Sequence, residues 1–133
     1  MLKGLISNKY CTLKKSPIHR WGVFAEENID AEVILEECPV IHIYSQPFRN
    51  VTNEFKDYLF RWPTNVEGKK RHPVMVLGWA EIYNHNDNNN VIYYSDNEKN
   101  VMIYKTVKKV LKGEELFIDY GQYYFDVLNV KKI

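Results

Sequence analysis

The sequence predicts a mainly β domain of small sheets with short helices, and three observations carry that expectation. Short β-branched runs fill the first third of the chain, two β-branched and aromatic runs flank a polar turn at positions 95–100, and a single segment shows clear helical spacing. At 133 residues, with 45% hydrophobic and 26% charged side chains, the chain fits one compact domain over 1–133 that buries a core without disulfides or metal.

Val33-Ile34-Leu35 and Val40-Ile41-His42-Ile43-Tyr44 read as two strands, with Pro39 breaking pairing between them. Between Asn53 and Trp62, the residues Phe55, Tyr58, Leu59 and Trp62 recur at helical spacing, and Pro63 stops the segment. Val74 to Tyr83 is an apolar run containing Gly78 and Ala80. Periodicity does not separate helix from strand there, and the reading leans helical. Val91 to Tyr94 and Val101 to Val107 read as a hairpin. Two segments rhyme, Ile29-Asp30-Ala31-Glu32-Val33-Ile34 and Leu111-Lys112-Gly113-Glu114-Glu115-Leu116, as recurrent turns leading into strands.

Net charge is +1, which argues against strong nonspecific binding to nucleic acid. The denser basic run Lys69-Lys70-Arg71-His72 reads as a solvated loop. Cys11 and Cys38 are too few and too dispersed for a zinc cluster or a disulfide framework, and a reducing compartment suits them. The run Asp87-Asn88-Asn89-Asn90 lacks the glycine and distal glutamate of a calcium loop, so no metal is expected. With no long apolar stretch, the expected location is the cytoplasm, or the nucleus of a host or eukaryotic cell, without secretion or membrane contact.

Three segments carry chemistry. Ser16 to Ala25 holds Gly22, where the backbone turns tightly or approaches a ligand, beside the large aromatic Trp21. Trp79 to Asp87 delivers Asn84 and His85 where an apolar run becomes polar, which suits a pocket wall. Gly113-Glu114-Glu115-Leu116-Phe117-Ile118-Asp119-Tyr120-Gly121 is a strand running into a tyrosine and a glycine, followed by the aromatics Tyr123, Tyr124 and Phe125. Taken singly, each also reads as turn or packing chemistry.

In this order the three segments resemble the Gly-x-Gly, Asn-His-Ser and Gly-Glu-Glu-Leu-x-x-Asp-Tyr-Gly regions of the SET domain family. The Asp57 to Phe60 segment and the Leu-Gly-aromatic stretch before Asn84 look like the minimal SET proteins of large DNA viruses. The resemblance implies a β-clip fold with a C-terminal pseudoknot, one SET domain without pre-SET or zinc-binding post-SET modules, and protein-lysine methyl transfer from S-adenosylmethionine. By the same resemblance, Arg20, Trp21, Gly22, Asn84, His85, Tyr120 and Phe125 hold the cofactor, and Tyr120 is the catalytic residue. Trp21, Ile118, Tyr120 and Tyr124 line the lysine channel. Ile118 stands where the family often has Phe or Tyr, which implies room for di- or trimethylation.

Two departures stand out: Arg20 replaces the first glycine of Gly-x-Gly, and Asn86 replaces the serine after Asn-His. The resemblance also implies a histone or other basic protein as partner, and the likeness to the viral members implies homodimers. Two competing readings are a catalytically weak SET-fold module that binds a lysine-containing peptide and a His-Asn-His nuclease. The charge balance argues against the nuclease.

Overall fold

The computed structural model describes residues 4–18, 20–45, 50, 52, 59–64 and 70–119. Its strands are β1 (Cys11–Lys15), β2 (Trp21–Ala25), β3 (Ile34–His42), β4 (Phe60–Trp62), β5 (His72–Val76), β6 (Asn84–His85), β7 (Val91–Asp96), β8 (Val101–Thr106) and β9 (Glu115–Ile118). They form a four-stranded sheet in the order β1-β2-β9-β6 and a five-stranded sheet in the order β4-β5-β3-β8-β7. A common core joins Val23, Leu116 and Ile118 of the first sheet to Val74, Val76, Met102 and Tyr104 of the second. The mainly β expectation holds. Among the described residues, no helix is long and apolar enough to cross a membrane.

The β7–β8 hairpin forms where the sequence places it. Val91 and Tyr93 alternate inward, and the Asp96 carboxylate accepts from the Glu98 and Lys99 amides at 3.1 and 3.0 Å. Asn100 then takes φ 61°, a left-handed conformation that asparagine tolerates well.

Three local expectations fail for tertiary reasons. Pro39 does not divide two strands, because β3 runs unbroken through it. Leu77 N–H donates to Pro39 O at 2.9 Å, and proline forgoes the return bond where the β3–β5 ladder ends. The aromatic spacing before Pro63 does not make a helix at its C-terminal end, since Phe60–Trp62 is a strand paired with β5. The remainder of that helix, from Asn53 to Tyr58, lies outside the described residues. The apolar run from Val74 is strand β5 followed by a short 3-10 helix at Ala80–Ile82.

The rhyming segments are twin turns, offset by one residue from their sequence alignment. Ile29 and Val110 exchange two backbone hydrogen bonds of 2.8 Å, and three residues beyond each the chain turns left-handed, at Glu32 (φ 63°) and Gly113 (φ 90°). The second turn closes through Glu114 N–H to Leu111 O at 3.0 Å. In the first, the buried Thr106 hydroxyl substitutes, accepting from Val33 N–H at 2.9 Å and donating to Asp30 O at 2.8 Å.

The larger sheet curls until its edges approach each other. Thr64, just past β4, donates its amide to Ser95 Oγ on β7 at 2.9 Å, and Ser95 N–H donates to Thr64 Oγ1 at 2.6 Å. Inside the curl, Phe60 meets Tyr93 edge-on at 5.1 Å, and Tyr104 stacks on Tyr83 at 5.2 Å and 9°. A register shift between Ile34 and Glu36 marks a bulge that sets Glu36 opposite Tyr104, on the core face.

Glu36 is 4% exposed and collects three donors: Trp79 N–H at 3.1 Å, Cys38 Sγ at 3.1 Å and Tyr83 Oη at 2.6 Å. Gly78 passes directly over this carboxylate. A Cβ there would lie 2.8 Å from Glu36 Oε1, and its φ of 94° independently favours glycine. The turn from Gly78 to Tyr83 is therefore fastened from below, immediately before Asn84.

Two buried tyrosines should respond oppositely to loss of the hydroxyl. Tyr83→Phe removes the donor to Glu36 Oε2 in a buried site and should cost about 1–3 kcal/mol in urea denaturation. The Tyr104 hydroxyl is buried with no hydrogen-bond partner among the described residues. Tyr104→Phe should therefore leave stability unchanged or raise it by up to about 1 kcal/mol. Equal losses at both positions would contradict this account of the core.

Candidate active site

Strand β9 lies between the two segments that the sequence singles out. On one side it runs antiparallel to β2, with Val23 opposite Leu116 and Phe24 opposite Glu115. On the other it runs parallel to β6, with Asn84 opposite Phe117 and His85 opposite Ile118. Asn86 N–H extends this contact to Ile118 O at 3.1 Å. Arg20, Trp21, Gly22, Asn84, His85 and Ile118 thus gather on three adjacent segments. Tyr120, Tyr124 and Phe125 lie outside the described residues, which reach Asp119 on this strand.

One carboxylate joins the corner. Ser16 Oγ donates to Glu115, with its two oxygens at 2.8 and 3.0 Å. Asn84 Nδ2 donates to Glu115 Oε2 at 2.8 Å and to Trp21 O at 3.1 Å. Asn84 is 3% exposed, so these bonds satisfy an amide that burial would otherwise penalise. Gly22 is needed here because of proximity. A Cβ would press into the Glu115 carboxylate, 2.9 Å from its Cδ, and lie 3.0 Å from Ser16 Cβ.

The tight turn is made two residues earlier. Ser16 N–H donates to Arg20 O at 2.9 Å, and Arg20 takes φ 38°. The arginine therefore keeps a glycine-like backbone, at a cost of roughly 1–2 kcal/mol. Trp21 follows on β2 with its side chain 54% exposed, available to cover a ligand. Ile118, on the same face of the sheet as Leu116 and Val23, is wholly buried in the core.

His85 stands between two carboxylates, with Nε2 3.0 Å from Asp87 Oδ1 and Nδ1 3.7 Å from the buried Asp119 Oδ1. These three groups bring ligand atoms within 4.8 Å of one another, but two of the residues are exposed, as acidic groups without an ion commonly are. Beside the corner, Asn90 completes the edge of β9, donating to Glu115 O at 3.0 Å and accepting from Phe117 N–H at 2.7 Å. A cleft of about 360 Å³ opens there between Asn86, Lys108, Glu115 and Phe117.

Neither cysteine is suited to nucleophilic work. Burial pushes the Cys11 thiol up to about 12, and burial with the neighbouring Glu36 carboxylate pushes the Cys38 thiol higher still. Burial also raises the Glu81 carboxyl above its ordinary value.

Sequence reasoning missed the residues that hold the site rather than line it: Ser16, Glu36 and Glu115. Glu115 sits inside a recognised motif, and alternation with the apolar Leu116 points its side chain away from the core. Its partner Ser16, however, is 99 positions distant. Gly22→Ala should displace Glu115 and release the Asn84 amide, at a cost of about 2–3 kcal/mol. The checks are equilibrium unfolding and the Asn84 side-chain amide resonance, which should move. An unmoved resonance would show that the corner adapts.

Comparison with known proteins agrees with this arrangement. The sequence profile of the SET domain matches residues 20–121. A histone-lysine N-methyltransferase of Schizosaccharomyces pombe, described as specific for lysine 37 of H3, is 31% identical over 107 residues, covering 77% of this chain and 67% of that protein. Among solved structures, a Plasmodium falciparum protein described as a candidate histone methyltransferase superposes with a TM-score of 0.66 at 30% identity. That match covers 89% of this chain and 98% of the other.

Proposed function

The chain belongs to the SET domain family of protein-lysine methyltransferases, and from that premise we propose that it methylates a lysine of a histone or another basic protein, using S-adenosylmethionine. The observation that carries this reading is the Glu115 bridge, which seats Asn84 between Trp21 and β9. It unites the three motifs whose joint presence the activity requires.

The residues present suit a donor that carries a sulfonium and an ammonium group. Glu115, Asp119 and Asp87 supply negative charge around the corner, while the backbone at Arg20 to Gly22 and at Asn84-His85 supplies polar contacts. When bound, S-adenosylmethionine provides an electrophilic methyl carbon. The Arg20–Gly22 turn and the Asn84–His85 strand would hold it, and the resemblance assigns Phe125 to its adenine.

The protein's remaining task is to present a neutral amine in line with that carbon and to exclude water. A lysine starts near pKa ~10.4. The apolar channel that the resemblance assigns to Trp21, Ile118, Tyr120 and Tyr124 would disfavour the ammonium form and so promote loss of its proton to solvent. The Tyr120 hydroxyl orients the free amine. Aromatic walls at Trp21 and Tyr124 accommodate the lysine stem and a methylated, cationic head. Residues 1–133 would then form one catalytic domain, dimeric like the minimal viral members it resembles.

Transfer of labelled methyl to histones should be measurable with the intact chain. Tyr120→Phe should reduce it by about 10²–10⁴-fold while calorimetric binding of S-adenosylhomocysteine persists. Binding without any transfer by the unsubstituted chain would favour a peptide-binding module instead. Because Ile118 carries no hydroxyl, mass spectrometry should find di- and trimethylated product, and Ile118→Tyr should shift it toward monomethyl. Product arrested at monomethyl in the unsubstituted protein would refute the assignment of Ile118.

A further inference from the structure

We propose that His42 and His72, on the five-stranded sheet, form a two-nitrogen chelate for a divalent cation of the Cu²⁺ or Ni²⁺ type. The β3–β5 register places His42 opposite Val74, so His72 lies diagonally across on the same face. His42 Nδ1 and His72 Nε2 approach to 2.8 Å. Both rings are half-buried, close enough to solvent for an ion to enter.

The surroundings orient the rings as a metal site requires. His42 Nε2 lies 2.6 Å from Asn100 Oδ1, an oxygen that only accepts. Nε2 therefore carries the His42 proton, and Nδ1 turns its lone pair toward His72. Histidines that bind metals commonly donate their second nitrogen to an oxygen in this way. Asn100 is held at φ 61° at the β7–β8 turn, so this partner is itself fixed.

The His42 ring is stacked on Tyr44 at 5.3 Å and 12° and meets the edge of Trp62 at 5.2 Å. The His72 ring lies 4.7 Å from that of Tyr44. Among the described residues, no carboxylate is hydrogen-bonded or ion-paired to either ring.

The spacing also bears on which ion fits. With metal–nitrogen bonds of about 2.0–2.1 Å, two donors at a right angle stand roughly 2.9 Å apart, and two at a tetrahedral angle roughly 3.3 Å. The observed 2.8 Å is the length of the hydrogen bond that the ion would replace, and it lies nearer the right-angle spacing of square-planar or octahedral ions than the tetrahedral one. On binding, the proton on His72 Nε2 moves through water to His72 Nδ1. Both rings stay neutral, two metal–nitrogen bonds replace one hydrogen bond, and water fills the remaining positions. Nothing is oxidised or reduced.

The test is titration of the intact protein with Ni²⁺, followed by calorimetry, and with Cu²⁺, followed by electron paramagnetic resonance. One equivalent should bind, with two-nitrogen coupling in the Cu²⁺ spectrum and weaker binding of Zn²⁺ than of Ni²⁺. His42→Gln and His72→Gln should each lower affinity at least tenfold, Asn100→Ala about tenfold, and His85→Gln should leave it unchanged. In the unsubstituted protein, paramagnetic broadening by Ni²⁺ should fall first on the His42 and His72 rings, a readout independent of whether any variant folds. Broadening that begins at His85, affinity unaltered in both glutamine variants, or preference for Zn²⁺ would overturn the proposal.

Discussion

The Glu115 carboxylate is the constraint on which the site depends. It binds Ser16 from the segment before β2 and Asn84 from β6, while β9 itself supplies the shared backbone partner of both strands. The absence of a side chain at Gly22 is what lets it sit there. Its hydrogen bonds satisfy an otherwise buried amide, and the same geometry that stabilises the corner aligns the three motifs.

A second carboxylate does the equivalent work from beneath. Glu36 takes the Trp79 amide and the Tyr83 hydroxyl and so fixes the turn from which Asn84 emerges. The β3 bulge that aims Glu36 inward and the left-handed Gly78 above it belong to one device. Position in this site is transmitted through buried polar groups as much as through apolar packing, and burial raises the cost of breaking any one of them.

Much of this was legible in the sequence. Alternation and turn chemistry marked the β7–β8 hairpin, and three motifs in order identified the segments that converge. The errors were local readings overruled by pairing partners: Pro39 tolerated where a ladder ends, Phe60–Trp62 drawn into pairing with β5, and an apolar run whose type periodicity could not settle. Arg20 and Gly22 divide two tasks that the motif suggested glycine performs. The arginine adopts the left-handed turn, and the glycine clears space for a side chain. Glu115, Glu36 and Ser16 stayed hidden because partners 99, 47 and 99 positions away leave no local pattern.

The span of these bonds also orders assembly in time. Asn8 meets Tyr83 across 75 positions, and Ser16 meets Glu115 across 99. Loop-closure entropy opposes such distant contacts until the intervening chain is already compact. A chain emerging from the ribosome can complete the β7–β8 hairpin early, yet the corner around Asn84 stays open until β9 arrives.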